Sequence, residues 1–250
     1  MSGAWAGPVG PEALDDLPVA DVYVLGEIHD VAQHHVNQAR AVAAVRPRAV
    51  VWEMLDAAQA AAVVPGASVE DLDRAIGWSG RGWPDLALYH PIFQAAAGAR
   101  HFGADVARGD LRRAMEAGAA AVIGTGFGLE AALAPDDQAA REAEQDEAHC
   151  GALPAEMLPG MVEAQRLRDA ALARAVLEAV ATVGPPVVVI TGSGHARKDT
   201  GVPAVLRAAA PELRVLSVGQ LEGDTDAAPF DLWLVTPPVA REDPCAAFAG

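Results

Sequence analysis

Two Gly-x-x-His motifs and a separate glutamate each follow directly after a short apolar run of this sequence. Their acidic and imidazole side chains are Glu27, His29, Glu53 and His195, which we call the rim residues. The apolar runs predict buried strands of a parallel sheet, and the carboxyl ends of such strands meet at one edge, where ligands bind. We therefore expect the rim residues to share one site.

Carboxylates and imidazoles at one sheet edge support two kinds of chemistry. The four rim residues could hold a divalent metal ion through mixed oxygen and nitrogen ligands. Without a metal, His29 or His195 could act as a general base on water while a glutamate orients it, and Arg197 could stabilise an oxyanion or anchor a substrate carboxylate. A structural interpretation also stays open, in which Glu53 forms a salt bridge and the glycine motifs are turns.

The pattern of apolar runs predicts the elements that position these residues. Strands are predicted over 21–25, 49–53, 99–104, 186–191, 213–218 and 232–235, and helical patterns between the first of them are typical of βαβ units. From about 130 to 182 the pattern is helical and charged. We expect a single α/β domain over 15–240. Its sheet is mostly parallel and flanked by helices, with a mainly helical insertion at about 130–182.

The helix after the first strand has a predicted start and carries two adjacent histidines. Asp30 and Gln33 have the spacing of a capping box, in which each side chain accepts a hydrogen bond from a backbone amide of the other residue. His34 and His35 follow in the first turns. Because neighbouring helix positions point in different directions, we expect one histidine to face the rim and the other to face solvent.

Composition and charge argue against several classes of protein. The 250 residues carry a formal net charge of −16, which disfavours binding to a nucleic-acid backbone. No apolar run reaches the roughly 20 residues of a membrane-spanning helix, and the first residues do not read as a signal peptide, so a cytoplasmic location is expected. Cys150 and Cys245 lack metal-binding spacing, and two reduced thiols are preferred over a disulfide between them.

Several motifs taken together resemble the ChaN-type haem-binding family, and they extend over nearly the whole chain in consistent order. They are Leu25-Gly26-Glu27-Ile28-His29-Asp30, His34-His35 with Gln38, Trp52-Glu53-Met54, Gln165-x-x-Arg168-Asp169, Gly192-Ser193-Gly194-His195-Ala196-Arg197 and Asp243-Pro244-Cys245. That family is similar in fold to TraB/TIKI-like proteins and erythromycin esterases. Some members of this wider group are metal-dependent proteases, and others are metal-independent hydrolases.

The resemblance implies haem binding linked to iron handling as the first function. In the family's haem-bound form, a homodimer holds paired haems, with a tyrosine oxygen on the iron and a histidine of the partner subunit nearby. Carried over by position and residue type, these roles fall on Tyr89 and His149. A hydrolase at the rim residues, with or without a metal, is the second function, so whether the protein is an enzyme stays open.

Two features depart from the family pattern. Typical members are exported lipoproteins, whereas no leader or lipobox cysteine is evident near the start of this sequence. Asp105-Val106-Ala107-Arg108 stands where an asparagine-containing element is expected before the arginine. The first departure bears on capture of haem at the cell surface, and the second bears on the metal or substrate preference of the rim.

Overall fold

All strands in the described part of the chain belong to one parallel sheet. The structure is a computed structural model that describes residues 7–223, 225, 227–243 and 245–246. The strands are β1 (Gly7–Pro8), β2 (Val22–Glu27), β3 (Ala49–Trp52), β4 (Arg100–Gly103), β5 (Val187–Gly192), β6 (Val215–Glu222) and β7 (Leu232–Thr236). Their order in the sheet is β1-β7-β6-β2-β5-β3-β4. The predicted α/β fold is confirmed, and each predicted strand is present.

The helices of the described chain include short and long segments. They are α1 (Ala32–Val45), α2 (Ala57–Ala61), α3 (Val69–Ile76), α4 (Leu86–Ala95), α5 (Arg108–Ala117), α6 (Ala120–Ile123), α7 (Pro135–Ala148), α8 (Leu158–Val183), α9 (Ser193–Ala196) and α10 (Val202–Ala209). Short 3-10 helices cover Pro11–Asp15 and Ala155–Met157. The main apolar core packs residues of α1, α3 and α4 against the sheet.

The middle of the sheet explains why the longest apolar runs predict strands so clearly. Strands β2 and β5 are neighbours, and every residue of both is buried. A strand covered on both faces needs apolar residues at successive positions rather than at alternate ones. The register places Glu27, at the end of β2, opposite Gly192 at the end of β5. Both Gly-x-x-His motifs therefore leave the sheet side by side.

The start of α1 differs from the prediction. The N-cap residue is Val31, and no side chain caps the helix there, so the predicted capping box of Asp30 and Gln33 is wrong. The Gln33 side chain instead donates to the Asn37 side chain, 3.1 Å away on the next turn. An amide just before the helix, that of Ile28, is satisfied by Nδ1 of His34 at 2.9 Å. A buried histidine thus ties the segment before α1 to the first turn of the helix.

The chain divides into two compact units. Unit 1 consists of Met1–Asp105 and Leu172–Pro238, and it contains the sheet. Unit 2 consists of Val106–Ala171 and Val239–Gly250, and its helices are α5, α6, α7 and the first part of α8. The predicted helical insertion at about 130–182 stays a prediction. The domain limits of 15–240 stay a prediction.

A disulfide bond closes unit 2. Cys150, just after α7, is bonded to Cys245, 95 residues further along the chain. The preference for two reduced thiols is therefore wrong. Disulfides form and persist mainly in oxidising compartments. The expected cytoplasmic location stays a prediction. Among the described helices, none combines the length and the apolar character that crossing a bilayer requires.

Candidate functional site

Glu27 is the centre of a buried cluster at the end of β2. Its Oε1 accepts hydrogen bonds from Nδ1 of His29 and from the Tyr89 hydroxyl, each 2.8 Å away. Its Oε2 lies 3.0 Å from Nδ1 of His35. Burial alone would raise the pKa of Glu27, but the hydrogen bonds with His29 and His35 outweigh burial and lower that pKa. Glu27 is therefore a carboxylate that keeps its charge inside the protein.

His35 contacts both the Glu27 carboxylate and the backbone of His29. Nε2 of His35 lies 2.9 Å from the carbonyl oxygen of His29, and because a carbonyl only accepts, Nε2 carries a hydrogen. Nδ1 of the same ring lies 3.0 Å from Oε2 of the Glu27 carboxylate. Both side chains are fully buried. His35 and His29 thus contact different oxygens of the Glu27 carboxylate.

His29 is the rim residue with the greatest exposure, since 34% of its side chain is accessible. With Nδ1 bonded to Glu27, its reactive nitrogen is Nε2. A Cβ at position 192 would lie only 3.1 Å from that Nε2, so Gly192 leaves the space beside it free. Burial lowers the pKa of His29, but the hydrogen bond to Glu27 and the charge of Glu53 outweigh burial and raise it. An imidazole oriented by a carboxylate in this way can act as a general base.

Glu53 lies just after β3 and is held by the end of β5. Its Oε2 accepts hydrogen bonds from the Thr191 hydroxyl at 2.7 Å and from the Gly192 amide at 2.8 Å. Its Oε1 is 3.6 Å from Nε2 of His195 in α9. Burial would raise the pKa of Glu53, but the charges of His195 and His29 and these hydrogen bonds together lower it. Glu53 is thus a second ionised carboxylate at the same edge.

The structure places the four rim residues at the ends of β2, β3 and β5, as the sequence predicts. Arg197 is the residue predicted to stabilise an oxyanion. Two of its guanidinium nitrogens donate to Asp199, at 3.0 and 2.8 Å, so its positive charge is paired with a carboxylate of the protein. Within the described residues, no group of three or more His, Cys, Asp or Glu side chains is arranged to hold a metal ion. The hydrogen bond of His29 with Glu27 and the contact of His195 with Glu53 are arrangements that acid and base chemistry uses.

Tyr89, the predicted haem ligand on iron, is buried in α4. Its side chain has 0% exposure, and its hydroxyl donates to the Glu27 carboxylate. Burial, followed by the charge of Glu27, raises the pKa of Tyr89, which disfavours the phenolate form. Tyr89 packs against the rings of His35 and Trp78, with centroids 4.2 and 4.8 Å away. In this conformation Tyr89 serves the Glu27 cluster, and iron ligation would require it to leave Glu27.

His149, the other predicted haem residue, ends α7 in unit 2. Its Nδ1 lies 2.8 Å from the carbonyl oxygen of Gln145, so Nδ1 carries the hydrogen and Nε2 carries the lone pair. Protein histidines that bind metals commonly donate their other nitrogen to a backbone carbonyl or carboxylate, because this fixes the tautomer and the ring orientation. The tautomer of His149 therefore suits ligation of iron through Nε2.

Sequence reasoning missed two contributors to the site and misplaced a third residue. Thr191 holds Glu53, and Trp83 packs its ring against His29 with centroids 5.1 Å apart. His34 and His35 are both fully buried, so the expectation that one of them faces solvent is wrong. His34 uses Nε2 to bond Thr236 at 3.0 Å. The sequence carries no local signal of this burial, because it depends on which elements surround α1.

A model of one protein family matches most of the chain. The family is described as haem-binding uptake, Tiki superfamily, ChaN, and its model matches residues 13–206. The chain belongs to this family. Membership makes haem binding the function indicated at the level of the family. No curated protein of established function matches the sequence.

Solved structures give a fold comparison. ChaN of Campylobacter jejuni, whose structure describes cofacial heme binding, is similar with a TM-score of 0.68 at 19% identity, over 88% of each chain. The type III effector HopBA1 gives 0.43 at 15% identity, over 93% of this chain and 96% of its own. A Bacillus cereus protein gives 0.44 at 14% identity, over 96% of this chain and 78% of its own. The Campylobacter ChaN shares the fold of this chain, and we draw no conclusion from the other two.

Proposed function

We propose that the protein binds ferric haem as part of haem or iron handling, with His149 as an iron ligand. The match of the haem-binding ChaN family model over residues 13–206 is the observation that carries this proposal. The ChaN structure from Campylobacter jejuni, which holds haem cofacially, has the same fold. Haem bound here would supply an iron centre, and the chain would supply a ligand to the iron.

The two predicted ligands differ in how well they fit haem. His149 is partly exposed, and its hydrogen bond to Gln145 leaves the lone pair on Nε2. Tyr89 fits poorly, because its hydroxyl is buried and already donates to a carboxylate. We therefore assign the histidine and not the tyrosine to iron. A homodimer with paired haems, as the family resemblance implies, is compatible with a single histidine ligand from each subunit.

The test is a titration of the purified protein with ferric haem, followed in the Soret band beside an equal concentration of serum albumin. We expect saturation at a defined stoichiometry, with sedimentation run on the same samples to reveal a dimer. His149→Ala should weaken haem binding by at least about tenfold. Mutation of a residue that only hydrogen-bonds a metal ligand already lowers metal affinity by about tenfold or more. His90→Ala is the matched control, because His90 is also partly buried and also bonds a backbone carbonyl, that of Ala67. A non-saturating response from the wild-type protein would remove the proposal.

A second candidate is a metal-free hydrolase at the rim residues. The hydrogen bond between Glu27 and His29 favours it, because it directs Nε2 of His29 into the space that Gly192 leaves open. In this proposal His29 removes a proton from water as the water oxygen bonds to the acyl carbon of the ester, and the Glu27 carboxylate stabilises the imidazolium that forms. The imidazolium then returns the proton to the leaving alcohol as the ester C–O bond breaks. Glu53 and His195 would orient the water. No step in this scheme uses a metal ion.

An ester screen tests the hydrolase separately from haem binding. Activated aryl esters report general-base catalysis without knowledge of the natural substrate. Wild-type protein should hydrolyse the esters faster than an equal concentration of free imidazole does. His29→Ala should lose this excess rate, and His90→Ala should keep it. Equal turnover by wild type and His29→Ala would exclude His29 as the base, whatever the result of the haem titration.

A further inference from the structure

Residues 77–85 join α3 to α4 and cover one side of His29; we call them the cover loop. The Trp83 ring stands edge-on to the His29 imidazole, with centroids 5.1 Å apart and an angle of 68° between the planes. Trp83 is itself partly exposed. The Trp83 indole therefore covers part of the His29 side chain.

The base of the cover loop is anchored firmly. Asp73 in α3 accepts hydrogen bonds from the Ser79 amide at 2.8 Å and from its hydroxyl at 2.5 Å. Nε1 of Trp78 donates to the Pro84 carbonyl at 2.7 Å, which ties the two ends of the loop together. Trp78 is buried and packs against Tyr89. Movement of the base would therefore disturb the core of unit 1.

The tip of the cover loop is held more weakly. Arg81 forms an ion pair with Asp105, which follows β4, and the two side chains are 28% and 33% exposed. Ion pairs with this much solvent access contribute little and open readily. Gly80 and Gly82 flank Arg81 with φ of 83° and 86°, and a Cβ at Gly80 or Gly82 would meet no atom within 4 Å. The tip thus has backbone freedom on both sides of its charged contact.

We propose that the cover loop is a lid over His29, which the ion pair between Arg81 and Asp105 holds closed. A ligand gains full access to His29 when this pair opens and Trp83 moves off the imidazole. Gly80 and Gly82 let the backbone around Arg81 change, and Trp83, which follows Gly82, moves by rotation of its side chain while the hydrogen bond between Trp78 and Pro84 stays in place. The lid acts on access to His29 whatever the ligand is, so it depends neither on haem binding at His149 nor on the ester hydrolysis proposed above.

The experiment measures the rate at which diethyl pyrocarbonate modifies His29 in the full-length protein, by mass spectrometry of digested samples. The rate at His90 in the same samples is the internal reference, because global unfolding would raise both. Arg81→Gln and Asp105→Asn should each raise the ratio of the His29 rate to the His90 rate, by up to about fivefold for an ion pair of this exposure. The reversed pair, Arg81→Asp with Asp105→Arg, should return the ratio toward that of wild type.

The two single variants exclude an indirect electrostatic effect. They change the charge near His29 in opposite directions, so a shift in its protonation would alter the two rates in opposite senses. Arg74→Gln is the matched control, since it removes an exposed ion pair with Asp71 on the helix that precedes the lid. An unchanged ratio in both single variants, opposite changes in the two, or an equal rise in Arg74→Gln would overturn the proposal.

Discussion

Replacing Tyr89 by phenylalanine separates its role in the Glu27 cluster from the role of iron ligand. The substitution removes one hydroxyl and keeps the ring contacts with Trp78 and His35. The lost hydrogen bond is 2.8 Å long, buried and made to a carboxylate, and such bonds contribute about 1.5–3 kcal/mol. Glu27 Oε1 still accepts from His29, so no charge is left without a partner. We therefore expect the free energy of unfolding to fall by about 1.5–3 kcal/mol.

Urea denaturation followed by tryptophan fluorescence measures this change, and haem titration of the same variant measures the other role. We expect the Soret band and the affinity for ferric haem to stay as in wild type. Tyr23→Phe is the spectral control, because Tyr23 is the only other tyrosine of the chain and its hydroxyl bonds the amide of Ala20. A cost below about 0.5 kcal/mol, together with loss of a phenolate charge-transfer band, would refute the reasoning and return Tyr89 to the iron.

Three further predictions concern the disulfide, the rim and pH. Replacing Cys150 and Cys245 by serine should lower stability by up to about 4–5 kcal/mol, from loop-closure entropy over the 95-residue separation, as urea titration will show. Gly192→Ala, allowed by φ of −61° and ψ of 148°, should slow diethyl pyrocarbonate modification of His29, because the new methyl group would lie 3.1 Å from Nε2. The pKa of Glu53 is lower in the folded protein than the value of 4.5 expected in the unfolded chain. The ionised carboxylate therefore stabilises the fold above pH 4.5, and this stabilisation is lost as pH falls through the pKa of the folded protein. The stability difference between wild type and Glu53→Gln should therefore shrink below pH 4.5, and a constant difference would contradict the assignment.

The strands and the edge they share were predictable because burial on both sides of a sheet leaves a direct mark on the sequence. Strands β2 and β5 read as uninterrupted apolar runs, and polar residues appear only where each run ends. Their pairing then places Glu27 opposite Gly192. The convergence of the rim residues follows from this one property of parallel sheets.

The histidines of α1 were not predictable, because helix geometry alone assumes one solvent-facing side. Helix α1 packs against α4 and the first 3-10 helix as well as the sheet, so neighbouring positions are both covered. His34 then satisfies the Ile28 amide and Thr236, while His35 meets Glu27. Such contacts depend on which elements surround the helix, and no local pattern records that.

The roles of Tyr89 and the cysteines depend on contacts between distant parts of the sequence. Tyr89 meets Glu27 across 62 positions, whereas the resemblance to the ChaN-type family implies iron as the partner of its hydroxyl. Cys150 and Cys245 are 95 positions apart, and their residue types alone fit reduced thiols equally well. A contact of this kind becomes visible only once the fold brings the two residues together.

The most direct test of the account compares ferric haem affinity in wild type, His149→Ala and His29→Ala. We predict saturable binding by wild type, a loss of at least about tenfold for His149→Ala, and no change for His29→Ala. This outcome would place iron on the histidine that ends α7 and leave the rim residues for separate chemistry. Full affinity in His149→Ala, with binding lost in His29→Ala, would contradict the account and move the haem to the rim.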